Sequence, residues 1–262
     1  MRILNTIIIS LAVVFLVSAC RHTQPEIDED LSIRFEKGMD YYNKSQYKKS
    51  KEEFDFIVMN NPGSRLAVEA QYYLAESLFN TKKYIEATVA FEHYIRYSNE
   101  LDKIEISRFR MCECAIKTSM DYQKDQESTL RALDHLQGFI EDFPASDLVP
   151  EATDEIRTIR AKLAQKLYET GRLYLKLEEY SSATIYFGQV LESYYDTPVA
   201  DEARIGIMFS YILNGAYDSA ESYLRLNENN FSSIEKFEDG NRILQNTSDG
   251  KLTLEEYIRL YK

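Results

Sequence analysis

Tyr47-x-x-Ser50-x-x-x-Phe54 and Tyr84-x-x-Ala87-x-x-x-Phe91 stand 37 residues apart, and the same step separates Tyr180-x-x-Ala183-x-x-x-Phe187 from Tyr217-x-x-Ala220-x-x-x-Leu224. Between these pairs lies Ala132-x-x-x-Leu136, a fifth copy without its tyrosine. Each of the four complete copies follows a second helical pattern: Gly38-x-x-Tyr41, Ala75-x-x-Leu78, Gly171-x-x-Tyr174 and Met208-x-x-Tyr211. On a helix, residues four apart share a face. The small residue therefore lets one helix approach another closely, and the aromatic or Leu one turn later fills the groove beside it. The tyrosine packs on the start of the second helix while its hydroxyl stays wet. A repeat of this length is one helical hairpin, which must stack on its neighbours to bury its apolar faces.

Composition agrees. Among 262 residues there are 9 Gly and 5 Pro, too few for the turns and glycine loops of sandwiches, barrels or dinucleotide-binding sheets. The chain is expected to be all-α, a right-handed solenoid of about five hairpins. Helix pairs are predicted over 31–60, 67–98, 106–143, 158–194 and 199–227. Pro62 and Pro144 close the first and third units, where proline suits the end of a helix. The third unit is blurred: its first helix is placed around Ser107 to Tyr122, joined to the next by Gln123 to Glu127. Net charge is -12, from 43 acidic and 31 basic residues. Phosphate backbones are gripped by concentrated Lys and Arg, so nucleic acid is not an expected partner.

The first residues read as a processing signal. Met1-Arg2 is followed by an apolar run from Ile7 to Val17, broken only by Ser10, and then by Val17-Ser18-Ala19-Cys20. The run is too short to cross a bilayer, which takes about 20 helical residues. It suits a cleaved signal peptide over 1–19. The Val-Ser-Ala-Cys tetrad resembles a bacterial lipobox, which implies lipidation of Cys20 and a lipid anchor. Residues 20–30 are polar and acidic, as expected of a tether. An acidic body gains nothing from anionic headgroups, so the acyl chains are expected to anchor the protein alone.

Candidate chemistry is sparse. His22, His93 and His135 are the only histidines, and none has a metal-ligand spacing partner. Cys112 and Cys114 would point about 200° apart on a helix, so they are expected to be buried residues and not a ligand or disulfide pair. No glycine-rich phosphate loop and no nucleophile elbow occurs. Neither an enzyme activity nor a cofactor is expected.

The repeated Gly/Ala, Tyr, Ala, Phe and Pro positions resemble the tetratricopeptide repeat. That resemblance implies that the first helix of each hairpin lines a concave face. It places Phe35, Met39, Tyr42 and Asn43 inward in the first unit, and Tyr72, Glu76, Phe79 and Asn80 at the matching places in the second. Tyr42-Asn43 and Phe79-Asn80 are again 37 residues apart. Rings beside amides suit an extended peptide, taking its apolar side chains and its backbone; the same rings equally suit packing between helices. The basic residues that would clamp a peptide carboxylate are missing from these two units.

As a five-unit lipoprotein, the chain resembles the BamD (ComL) family of outer-membrane protein assembly factors, from Leu31 to Leu226. The joining pieces carry this resemblance: Asn61-Pro62-Gly63-Ser64-Arg65, Lys124-Asp125-Gln126-Glu127-Ser128, Phe143-Pro144-Ala145-Ser146, Arg160-Ala161-Lys162-Leu163-Ala164 and Tyr195-Asp196-Thr197-Pro198. It implies a subunit of the barrel-assembly machinery (BAM), held on the periplasmic face of the outer membrane. The repeats over 31–143 would receive unfolded barrel precursors in the groove above. The repeats over 144–227 would dock on the barrel-inserting, BamA-type subunit, with Arg172, Arg204 and Arg225 as basic docking residues. A scaffold lipoprotein that organises cell-envelope or peptidoglycan enzymes is the alternative. The tail over 228–262 lies beyond the resemblance; its amphipathic segment Leu252 to Tyr261 is expected to cap the array.

Overall fold

The computed structural model describes residues 24–248. In chain order the helices are α1 (Gln24–Asn43), α2 (Tyr47–Asn60), α3 (Arg65–Asn80), α4 (Tyr84–Tyr97), α5 (Leu101–Thr118), α6 (Glu127–Asp142), α7 (Val149–Lys176), α8 (Tyr180–Ser193), α9 (Ala200–Leu213), α10 (Tyr217–Leu226) and α11 (Ile234–Ser248), with a 3-10 turn at Glu228–Asn230. No strand occurs among the described residues. Cys20 and the segment 252–261 lie outside them.

Each helix packs on its sequence neighbour, within two compact units that divide between Thr118 and Ser119. The division falls between α5 and α6, the helices that the spacing pairs as a third hairpin; α5 packs on α4, and α6 on α7. Within the first unit the hairpins are antiparallel. Tyr42 meets Tyr47 across the α1–α2 turn at 5.5 Å while Phe35 meets Phe54 further from it, also at 5.5 Å. Phe79 with Tyr84, and Tyr72 with Phe91, repeat that arrangement in α3 and α4.

The repeat positions do what their sizes dictate. Ser50, Ala87, Ala132, Ala183 and Ala220 are all fully buried, as are Phe54, Phe91, Leu136, Phe187 and Leu224. Phe187 shows how tight the fit is: a Cβ on Gly171 of α7 or on Gly206 of α9 would lie 2.6 or 2.7 Å from its ring. In the first unit a Cβ on Gly38 would lie 2.9 Å from Phe54. These glycines are small because a ring occupies the space a side chain would need.

Four hairpins share one turn. Ser45, Lys82 and Glu178 hold φ of 56°, 63° and 61°, and Gly215 holds 75° at the equivalent place. Each closes its helix with paired bonds: the Lys82 N–H donates to the Phe79 carbonyl and the Lys83 N–H to that of Leu78, both at 2.9 Å. This is a Schellman ending, which places one residue in the left-handed region.

The elements run beyond the predicted pairs in three places. First, α1 begins at Gln24, inside the stretch expected to be a tether. Second, α7 begins at Val149 with Pro150 in its first turn, nine residues before the predicted start. Third, the tail holds α11, whose Phe237, Ile243 and Leu244 pack with Phe231 against the core of the second unit. Asp201 fastens the entry to α11 by accepting from the Ser232 N–H at 3.2 Å and from its hydroxyl.

Joining pieces quoted above are tied to the helices. Arg160 Nε donates to Asp196 at 3.2 Å, and its Nη2 donates to the Ser193 carbonyl at 2.9 Å. Lys166 Nζ donates to the Lys124 carbonyl at 2.7 Å. Ser64 caps α3, its hydroxyl accepting from the Ala67 N–H at 3.1 Å.

Candidate functional site

The candidate groove belongs to the first unit, where α1, α3 and α5 are the alternate helices of the stack. Its centre is Glu76 of α3, only 3% exposed. Arg110 Nε of α5 donates to Glu76 Oε1 at 3.0 Å, and Arg110 Nη1 donates to Glu113 at 2.7 Å. From the other side the Tyr42 hydroxyl of α1 donates to Glu76 Oε2 at 3.4 Å. One buried carboxylate thus joins three alternate helices, α1, α3 and α5. The Arg110 guanidinium also covers the Phe79 ring, 4.8 Å from its centroid.

Burial governs the electrostatics. It pushes the Glu76 carboxyl above the usual carboxylate range, and the Arg110 charge only partly opposes the shift. Tyr72 is pushed up to about 12, first by burial and then by the Glu76 charge. The Tyr42 phenol is raised for the same two reasons.

Six of the eight sequence-predicted groove residues converge on this cluster or the rings around it. Phe35 and Tyr42 both meet Tyr73, at 6.0 and 5.3 Å. Tyr72 meets Tyr73, Phe91 and Tyr94. Met39 packs half-buried on the same core. The rings therefore pack between helices and also leave part of each surface open. The amides stand apart: Asn43 ends α1 exposed, and Asn80 is exposed with its Nδ2 donating to the Glu76 carbonyl at 2.8 Å.

Arg110, Lys103 and Tyr73 are the residues that sequence reasoning missed. Lys103 Nζ lies 5.5 Å from the centroid of Tyr72 and 5.8 Å from that of Tyr73. A basic pair thus reaches the groove from α5, whereas Arg34 and Lys37 of α1 both pair with Glu53 of α2. The 37-residue step held the signal: it carries Glu76 to Glu113 and Thr81 to Thr118, whose hydroxyls both donate to carbonyls three and four residues back. In that register Arg110 takes the place of Tyr73.

The three docking arginines do not form one site. Arg204 is 7% exposed, pairs with Asp201 at 2.8 Å, and lies 5.7 Å from the centroid of Phe231. Its position makes it an internal brace of the second unit. Arg172 is half-buried beside Glu169 and Tyr168, and Arg225 is exposed beside Glu221. Cys112 and Cys114 are both buried free thiols, with burial pushing them up to about 12 and about 11. No group of His, Cys, Asp or Glu able to hold a metal ion occurs among the described residues.

Comparison with known proteins adds the family. The YfiO family model, described as an outer membrane lipoprotein, matches residues 28–226. The chain is 25% identical over 221 residues to the outer membrane protein assembly factor BamD of Rickettsia prowazekii (strain Madrid E), covering 84% of this chain and 88% of that one. To the protein of the same name from Caulobacter vibrioides (strain ATCC 19089 / CIP 103742 / CB 15) it is 20% identical over 217 residues, covering 83% and 71%. Among solved structures, the P58(IPK) TPR domain is 10% identical with a TM-score of 0.43, covering 86% of this chain and 67% of that one.

Proposed function

This chain belongs to the YfiO family of outer membrane lipoproteins, and on that premise we propose that it serves as an outer-membrane protein assembly factor that works by binding. The name shared by its relatives supports this reading. In it, Cys20 carries the lipid, the repeats face the periplasm, and unfolded barrel precursors enter the groove of the first unit. The second unit docks on a barrel-inserting subunit of the BamA type, with the exposed Arg225 and the half-buried Arg172 as separate basic contacts.

The observation that carries the proposal is the Tyr42–Glu76–Arg110–Phe79 cluster. Its rings offer apolar surface to alternate side chains of an extended peptide, and Arg110 and Lys103 offer donors to backbone carbonyls or a terminal carboxylate. A handover protein needs moderate affinity and fast release. Partly open rings around a pre-formed ionic centre suit that, because little has to be ordered on binding. The reading involves no covalent step and no nucleotide.

A mild-detergent pull-down of the full-length lipoprotein, with mass spectrometry of what is retained, tests it. Near-stoichiometric recovery of a large barrel protein with periplasmic repeat domains is expected. Recovery of peptidoglycan enzymes in its place would overturn the function and favour an envelope scaffold.

A further inference from the structure

The two edges of the first unit differ in chemistry. At one edge α1 and α3 end and α2 and α4 begin, and it carries Lys44, Lys48, Lys49, Lys82 and Lys83. At the opposite edge α1 begins, α2 and α4 end, and α5 starts. Large apolar side chains stand in water there: Met59 and Leu101 are each 74% exposed and Tyr97 is 61% exposed. A hollow of about 420 Å³ lies among Val58, Pro62, Val68, Tyr94 and Tyr97, so the α2–α3 loop and the end of α4 form one continuous surface. Phe56, beneath the Arg34 guanidinium at 3.9 Å, and the exposed Ile33 extend it toward the start of α1.

We infer that this apolar edge rests in the interfacial layer of the membrane, with Met59, Tyr97 and Leu101 entering the headgroup–acyl boundary. The inference builds on the reading of Cys20 as the lipidated residue. Only three residues lie between Cys20 and Gln24, four steps of chain, so it can span at most about 14 Å between the lipid-bearing residue and the start of α1. The edge where α1 begins is therefore held against the bilayer. Apolar side chains kept there gain by leaving water, and tyrosine favours such an interface because it is apolar with one polar tip. The lysine edge lies a helix length away, about 30 Å along the 20 residues of α1. The acidic net charge conceals this division, and the lipid does not do the anchoring alone.

The chain contains no Trp, so a substituted one is a sole reporter. The full-length lipoprotein is reconstituted into phosphatidylethanolamine–phosphatidylglycerol vesicles as the M59W, L101W or I85W variant. Ile85 is the control: it is 76% exposed and stands at the lysine-edge end of α4, the helix that ends in Tyr97. Acyl-brominated lipids should quench M59W and L101W severalfold more than I85W, with blue-shifted emission only for the first two. Equal quenching at all three sites, or stronger quenching of I85W, would overturn the inference. Flotation separates the two ideas: protein that floats without selective quenching leaves the lipid on Cys20 intact and removes the docked edge. Protein that does not float removes both.

Discussion

Glu76 of α3 and Arg110 of α5 meet at 3.0 Å across 34 residues of chain, and Glu76 is the more deeply buried partner. Because Tyr42 of α1 binds the same carboxylate, the pair sets the spacing of three alternate helices, α1, α3 and α5, along the groove. A charge in such a place is costly unless each of its oxygens is met. Here each oxygen has a donor.

Arg110→Ala leaves Glu76 with one long hydrogen bond and should destabilise the protein by about 2 kcal/mol, the scale of a hydrogen bond to a charged group. Lys44→Ala removes an exposed helix pair with Asp40 and should cost less than about 0.5 kcal/mol. Urea denaturation checks both. Equal losses would mean that Arg110 acts only as a surface charge.

Glu76→Gln should change how stability depends on pH. The carboxyl of the folded protein is raised above its ordinary value of 4.5, so the folded state holds its proton more tightly than the unfolded state does. Stability from this group is then greatest below about pH 4.5 and falls as pH rises through the raised value. The Gln variant lacks that loss. Its melting temperature relative to the native chain should climb between pH 4 and pH 7, and a fall would show that Arg110 outweighs burial.

Ser45→Gly, Lys82→Gly and Glu178→Gly should each stabilise the fold slightly. A side chain in the left-handed region costs about 1–2 kcal/mol, and glycine gives back about 0.5–1 kcal/mol in unfolded-chain entropy. The net gain is about 0.5 kcal/mol per turn, read by chemical denaturation. Loss of stability at all three would mean that these side chains make contacts that outweigh their strain.

Gly171→Ala and Gly206→Ala should each cost about 1–3 kcal/mol, because the added methyl meets the Phe187 ring. Gly188→Ala on the same hairpin meets nothing within 4 Å and should stabilise. A neutral Gly171→Ala would show that Phe187 has room to move.

The fold was legible because the residues that build it repeat. Ala87, Phe91 and Tyr84 recur at a fixed step, and each is a local answer to close helix approach. Part of the groove was legible for the same reason, since Tyr42 and Phe79 are register mates. Arg110 was not, because it stands in the unit whose opening motif is blurred and its importance comes from Glu76, on another helix. Arg204 misled in the opposite way: charge suggested a surface, but Asp201 and Phe231 hold it inside. The helix α11 was hidden because Phe231, Phe237, Ile243 and Leu244 follow no repeat, and only the second-unit core explains them.

The most direct test of the central claim is site-specific photocrosslinking in cells, with a photoreactive phenylalanine placed at Tyr42, Phe79 or Val89 of the full-length lipoprotein. Val89 is exposed on α4, away from the Glu76–Arg110 cluster. The account predicts that newly made outer-membrane barrel precursors crosslink from positions 42 and 79 and not from 89. Precursors captured equally from all three positions, or from none, would contradict it.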